Sequence, residues 1–309
     1  GRSVRKDVED ARHKLSELIG ANPSEIIFTG SGTEANNLAI KGFFWQHPDR
    51  NLIVTSAFEH HAILDPVEWL VEHEGAEQVL IPITKAGVID LDFLRNIVQT
   101  RGSEIVVISI MHSNNELGSI QPIAEIVKIA GDIPVHTDAV QSFGKVEFDF
   151  AALNVTAATI SAHKIGGPLG VAALILKRGL DLTPVLHGGG QEREIRSGTL
   201  NAPSIVAFTA AAEYAIANMA TNFKKIRELR DYFVTELKKC VTDVSINSIT
   251  DPALPGIVNA TFLGTESDAL LLLLDTEGIS ASAGSACSAG VPRPSHVLVA
   301  LGLSESDAD

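Results

Sequence analysis

The run Ile26–Phe44, IIFTGSGTEANNLAIKGFF, decides the fold. Its first four residues are apolar or β-branched without a polar alternation, which predicts a strand buried on both faces. A glycine turn, Thr29-Gly30-Ser31-Gly32-Thr33-Glu34, follows it, and then an amphipathic helical pattern over Glu34–Phe44. A strand that feeds a helix through a glycine turn is one unit of an α/β sheet covered on both faces by helices. The same texture continues outward. Strands are expected at Ile26–Thr29, Leu52–Thr55, Val79–Ile81, Ile105–Ile110, Val135–Thr137, Ala158–Ser161 and Val171–Leu176, with further helices at Ile63–Glu74 and Ile123–Ala130. After Pro203 the pattern changes to a long Ala-rich helical stretch reaching Lys239. Two strands (Val244–Ile246 and Ile257–Phe262), a helix (Glu266–Glu277) and an extended Ile279–Ser282 come next. The expectation is a large α/β domain in residues 1–205 with a mainly parallel seven-stranded sheet, and a smaller α+β domain in residues 206–309.

The 309 residues suffice for two domains of roughly 150 residues each. Apolar residues make up 45% and charged residues 20%, too apolar for a disordered chain, and no stretch reaches the roughly 18 apolar residues of a membrane span. With 24 basic and 38 acidic side chains the net charge is −14, and no basic block offsets it. Nucleic acid and anionic membranes are poor partners for such a surface. Two cysteines, Cys240 and Cys287, rule out a disulfide framework and favour a reducing, cytoplasmic setting. The chain opens Gly1-Arg2-Ser3-Val4 and ends Ser306-Asp307-Ala308-Asp309, and both ends read as cut from a longer protein.

Five stretches carry chemistry. In SAHKIGGPLG (Ser161–Gly170), Lys164 lies directly after a buried strand, where partial desolvation suits an amine for joining an aldehyde. Alone, it reads first as an ordinary lysine in a glycine turn. In HTDAVQ (His136–Gln141), Asp138 ends another buried strand. It is either a helix N-cap or the partner of a protonated pyridine nitrogen. The glycine turn at Gly30–Thr33 offers free helix amides to an anion, but lacks the Gly-Lys-Ser/Thr ending of a nucleotide loop and the spacing of a dinucleotide fingerprint. His60 and His61 offer a flat ring and a proton carrier, or are plain loop residues. No spacing supports a metal site. Cys287 sits among small residues in SAGSACSAG (Ser282–Gly290), the setting of an accessible, reactive thiol, whereas Cys240 follows Lys238 and Lys239 at a helix end and is incidental.

Seven segments together resemble the cysteine desulfurases of the NifS/IscS group, within the class V branch of fold-type I pyridoxal-phosphate enzymes. They are FTGSGTEANNLAIKG (Phe28–Gly42), EHHAILD (Glu59–Asp65), MHSNNELGSIQPI (Met111–Ile123), HTDAVQSFGK (His136–Lys145), SAHKIGGPLG, HGGGQEREIRSGTL (His187–Leu200) and GSACSAG (Gly284–Gly290). The resemblance implies a fold-type I transferase with pyridoxal 5′-phosphate held covalently by Lys164 and paired through its ring nitrogen with Asp138. It places Gln141 and Asn115 at the phenolic oxygen, His60 over the ring, and Gly32, Thr33, Ser161 and His163 at the phosphate. Thr199 would reach the phosphate site from the second subunit of a homodimer. Cys287 would take sulfur from L-cysteine as a persulfide, release L-alanine, and pass the sulfur to an acceptor or iron-sulfur scaffold protein. The family's N-terminal strip is absent, as is the C-terminal segment with the arginine expected at the substrate carboxylate. Gln191 and Glu194 stand where the family usually has His and Gly. The alternatives are a selenocysteine lyase, another class V lyase or aminotransferase, and a catalytically silent scaffold-type relative.

Overall fold

A computed structural model describes residues 1–249, 251–284 and 294–308. One seven-stranded sheet is built from β1 (Ile26–Thr29), β2 (Leu52–Ser56), β3 (Glu77–Ile81), β4 (Ile105–Ser109), β5 (Val135–Asp138), β6 (Ala157–Ser161) and β7 (Ala172–Leu176). All seven expected strands are present, within two residues of their expected ends. Their order is β1-β7-β6-β5-β4-β2-β3. The pairs from β6 through to β3 are parallel, while β7 runs against both β6 and β1. Six strands therefore point the same way and only β7 is reversed, so six C-terminal ends share one edge of the sheet.

Helices α1 (Arg2–Ile19), α2 (Gly32–Gln46), α3 (His61–Glu74), α4 (Leu91–Arg101), α5 (Ile123–Ala130), α6 (Phe150–Leu153) and α7 (Ala202–Ala217) accompany this sheet. Alternate strand residues face opposite sides. Ile26, Phe28, Val54, Ile108, Ala158 and Ile160 join a core that includes Leu15 of α1 and Phe208 of α7. Ile27, Ile53, Ala157 and Leu174 join a second core with Leu38 of α2 and Val67 of α3. Burial of both faces is why these strands read as unbroken apolar runs. The edge strand β3, EQVLI, opens with two polar residues and is exposed or half-buried except at Ile81, in keeping with an edge that meets water.

The other edge strand, β1, is fully buried. Ile26 and Phe28 have the same parity, and both turn their backbone groups away from β7. The Ile26 carbonyl accepts from Arg12 Nη1 at 2.7 Å, and the Phe28 N–H donates to Glu192 Oε2 at 2.8 Å. Arg12 and Glu192 are joined by two bonds of 2.9 and 2.7 Å, and the guanidinium also lies 4.8 Å from the Phe28 ring centre. This ion pair takes the place of the neighbouring strand that β1 lacks.

Beyond α7 come α8 (Met219–Cys240), β8 (Val244–Ile246), β9 (Ala260–Phe262), α9 (Ser267–Thr276) and α10 (His296–Leu301), with β8 and β9 antiparallel. The single long helix expected after Pro203 is interrupted at Asn218, whose side-chain amide bonds back to the Tyr214 carbonyl at 2.8 Å. The strand expected over Ile257–Phe262 is confined to Ala260–Phe262, and Ile279–Ser282 pairs with no described strand. No described helix is long and apolar enough to cross a membrane.

Candidate active site

The glycine turn after β1, the loop after β2, the segment after β4, the end of β5 and the short turn after β6 converge at the shared edge. They enclose a cavity of about 300 Å³. Its walls include Gly32, Thr33, His60, Asn115, Asp138, Gln141, His163 and Lys164, eight of the eleven residues that the sequence singles out. Ser161 is buried at 1% exposure and bonds His163 Nδ1 through its hydroxyl at 2.8 Å, so it stands behind His163. Thr199 is exposed and does not line this chain's cavity. Cys287 lies outside the described residues, but Ser282 and Gly284, shortly before it, line the cavity.

At the anion end, Ser31 caps α2 by accepting from the Glu34 N–H at 3.1 Å, leaving the amides of the first turn directed outward. A Cβ on Gly32 would lie 3.1 Å from Val140 Cγ2, so any side chain here would press against the loop after β5. Glu34 fixes the turn from below: it accepts from Gly30 N–H at 2.8 Å and from Arg196 Nε at 2.7 Å.

At the opposite end, Asp138 accepts from Asn36 Nδ2 at 2.7 Å and from the Val140 N–H at 2.9 Å. Burial drives its pKa up, against those two hydrogen bonds and the charges of His60 and Lys164. His60 caps α3, its Nδ1 accepting from the Ala62 N–H at 3.0 Å, so the neutral ring carries its proton on Nε2. Burial lowers its pKa, opposed by Asp138 and reinforced by His61, Lys164 and His296. Behind this layer Glu59 is wholly buried and accepts from Ser56 Oγ at 2.7 Å and the Met111 N–H at 2.9 Å. Burial still pushes it up to about 8.

Pyridoxal phosphate fits this donor set. Asn36 Oδ1 and Ser113 Oγ, both in the cavity wall and both buried, have no hydrogen-bond partner among the described residues, and orphaned buried polar atoms mark room for a polar guest. The free helix amides suit a phosphate, the Asp138 carboxylate a protonated ring nitrogen, and Lys164 an aldehyde. Asn36, Ser113 and Met111 escaped sequence reasoning. Asn36 lies inside a helical pattern, and only its contact with Asp138, 102 positions along the chain, gives it a role. No described cluster of His, Cys, Asp or Glu would hold a metal ion. A larger cavity of about 410 Å³ lies elsewhere, between α7, α8 and the loop at Leu254–Ile257. Its lining is mainly apolar and lacks a convergent set of polar groups.

The glycine-rich segment His187–Leu200 borders the anion end through Arg196. Within it Arg193 and Glu194 have φ of 53° and 62°, the left-handed region that disfavours side chains. Arg193 is compensated by bonds from its guanidinium to the Ser24 and Leu180 carbonyls, both 2.8 Å. Glu194 is exposed, and its side chain has no described bond. Glu194→Gly is expected to stabilise the protein by about 1 kcal/mol, read as a higher urea midpoint at unchanged slope.

Comparison with known proteins agrees with this geometry. The Aminotransferase class-V family matches residues 1–304. An "IscS-like cysteine desulfurase" of Mycobacterium tuberculosis is 45% identical over 315 residues, spanning 100% of this chain and 80% of the relative. "Cysteine desulfurase IscS" of Dictyoglomus turgidum is 43% identical over 306 residues, 98% of this chain and 77% of the relative. Among solved structures, a "NifS-like protein" superposes with a TM-score of 0.91 at 32% identity, covering 100% of this chain and 81% of its own. "SspA in complex with cysteine" superposes at 0.82 and 35% identity, covering 99% and 85%.

Proposed function

This chain belongs to the class-V aminotransferase family and is a pyridoxal-phosphate-dependent cysteine desulfurase, and from that premise we propose how its own residues divide the work. The observation that carries the assignment is the convergence of Lys164, Asp138, His60 and the α2 amides on one 300 Å³ cavity. The cofactor, when bound, supplies the electron sink that weakens the bonds around the substrate's α-carbon. Lys164 would hold it covalently and, as a free amine, would remove the substrate's Cα proton and return it. Asp138, fixed by Asn36 and Val140, keeps the ring nitrogen protonated. His60 would lie against the ring, with its Nε2 proton free to be shared. Gly32, Thr33 and His163 hold the phosphate, with Ser161 orienting His163. Asn115 and Gln141 hold the phenolic oxygen.

Cys287 then takes the sulfur. The Cβ–S bond of L-cysteine breaks, an S–S bond forms to the Cys287 thiolate, and the carbon skeleton, reprotonated, leaves as L-alanine. Atoms and electrons balance without an external oxidant, because the Cβ–S bonding pair stays with carbon, which is reduced to the methyl group of alanine as the thiol sulfur becomes sulfane sulfur. The persulfide passes to an acceptor thiol or iron-sulfur scaffold protein, chemistry suited to the reducing cytoplasm. The working unit is a homodimer. Thr199, exposed and away from its own chain's cavity, completes the phosphate site of the second copy. Residues 1–205 supply the cofactor-binding unit and residues 206–309 the smaller one, with α7 spanning the boundary and packing Ile205 and Phe208 into the sheet's core.

The test is Cys287→Ala. Alanine formation from L-cysteine is expected to fall to background while the cofactor's visible absorption is retained. Wild-type protein given L-cysteine without reductant should gain the mass of one sulfur atom on the Cys287 peptide. Undiminished alanine production by the variant, or the added sulfur on Cys240, would overturn the assignment of Cys287.

A further inference from the structure

The side chain of Gln141 lines the cofactor cavity, yet only its oxygen is accounted for. Lys145 Nζ donates to Gln141 Oε1 at 3.0 Å, and no other described group bonds the amide. A carboxamide has one accepting and one donating end, whereas an ammonium has three donors and no acceptor. Lys145 therefore forces the oxygen of Gln141 towards itself and leaves the NH2 group for the cavity. Lys145 does not line that cavity; it lies on its far side, in the wall of the 410 Å³ cavity with Ile165, Tyr214 and Phe223. Its approach depends on Gly144, which has φ of 71° and where a Cβ would lie 2.9 Å from Ile165 Cγ2 and 3.0 Å from Ala215 Cβ.

We propose that Lys145 is a positioning residue, one that fixes the Gln141 amide so that a donor rather than an acceptor meets the cofactor's phenolic oxygen. This rests on reading the 300 Å³ cavity as the cofactor site. A donor there favours the deprotonated oxygen, and an amide turned the other way opposes it. Burial pulls the Lys145 pKa down to about 8, and the charge of Lys164 adds to the effect. At neutral pH the group is still mostly the ammonium, which can only donate.

The field of Lys145 also reaches the site directly, since its charge lowers the pKa of His163 alongside burial and Lys164. The other titratable groups around the cavity are Asp138, His60 and Lys164. Orientation and field are separated by removing Gln141. The experiment loads wild type, Lys145→Met, Lys145→Arg, Gln141→Ala and the Lys145→Met/Gln141→Ala double variant with pyridoxal phosphate. It then records the pH midpoint of the visible absorption change, with thermal midpoints to verify folding. Lys145→Met is expected to raise the absorption midpoint by about one pH unit, the scale of one hydrogen bond to a charged group. Lys145→Arg, still a donor-only cation, stays near wild type, and Lys145→Met adds nothing in the Gln141→Ala background.

An equal shift in that background would show a field effect alone and overturn the proposal, as would an unmoved midpoint in Lys145→Met beside a normal wild-type band. A wild type that develops no band would overturn the site assignment and the proposal together. Should Lys145→Met not fold, Lys145→Gln, which can donate or accept and so no longer dictates the orientation, is expected to shift the midpoint in the same direction.

Discussion

Lys164→Ala should abolish covalent retention of the cofactor and slow alanine formation by about a hundred- to ten-thousand-fold, the scale of losing a positioned proton-transfer group. The amine follows the last residue of β6 by three positions, in a short turn that ends at Gly166 in the left-handed conformation. Among the described residues, no other lysine lines the cavity. Borohydride treatment of the wild type should therefore place the cofactor's mass on the Lys164 peptide alone, while the variant loses its colour on denaturation. Because the α2 amides, His163 and Asp138 remain in place, the variant should still take up the cofactor reversibly. Covalent adduct on a different peptide would remove the basis of the catalytic assignment.

Glu192→Ala is the most damaging change expected away from the cavity. Glu192 is 3% exposed, and it satisfies both the Arg12 guanidinium and the Phe28 N–H. Burial lowers the pKa of Arg12, and the hydrogen bonds and charge of Glu192, with a contribution from Glu9, outweigh it; without Glu192 the guanidinium stays charged because arginine is too basic to lose its proton in a protein. Breaking a buried pair by removing one partner costs about 3–5 kcal/mol, and the half-exposed Glu9 carboxylate 3.4 Å from Arg12 Nε offsets only part of that loss. The opened edge of β1 adds a lost backbone bond. Urea unfolding should show a much lower midpoint, and exchange of the Phe28 amide hydrogen should accelerate. Replacing both partners, Arg12→Met with Glu192→Leu, should recover part of the loss by removing the charges together, leaving the edge bonds of β1 unmade. A single variant as stable as wild type would show that the pair does not close the sheet.

The sheet was legible in the sequence because its signal is local. Val106, Val107, Ile108 and their counterparts in β2, β6 and β7 must be apolar on both faces, and that shows in any window of five residues. What lay in polar segments was less visible. Helix α1 begins without a side-chain cap and is largely exposed; it gains its place by packing on α7 far along the chain, which no local pattern reports. Helix α4 buries only Leu94, although the Asp90 cap bonded to two amides was a readable signal. The cavity was legible where chemistry needs unusual residues in unusual places, such as Lys164 and Asp138 at strand ends. Asn36 in its wall and Glu192 at the edge of β1 were not legible, being ordinary residues whose roles arise from partners more than a hundred positions away. The pairing of Lys145 with Gln141 spans only four positions, but its meaning depends on which end of an amide faces inward.

The position of β7 between β1 and β6 sets an order of events during synthesis. Ile26 is in register with Ile175, and Thr29 with Ala172, so the first strand made waits for the last strand of the sheet. At about 5–20 residues per second this delay is many seconds, and contacts so distant along the chain slow folding as well. Until Leu176 has left the ribosome, β1 lacks its hydrogen-bonded neighbour. The strand's other side stays open longer still, because Glu192 comes later. The glycine turn that follows β1 cannot be held opposite Lys164 before then. Cofactor capture is thus confined to chains whose sheet is complete, and a nascent chain interrupted before β7 would present an open strand edge without gaining the stabilisation that a bound cofactor gives.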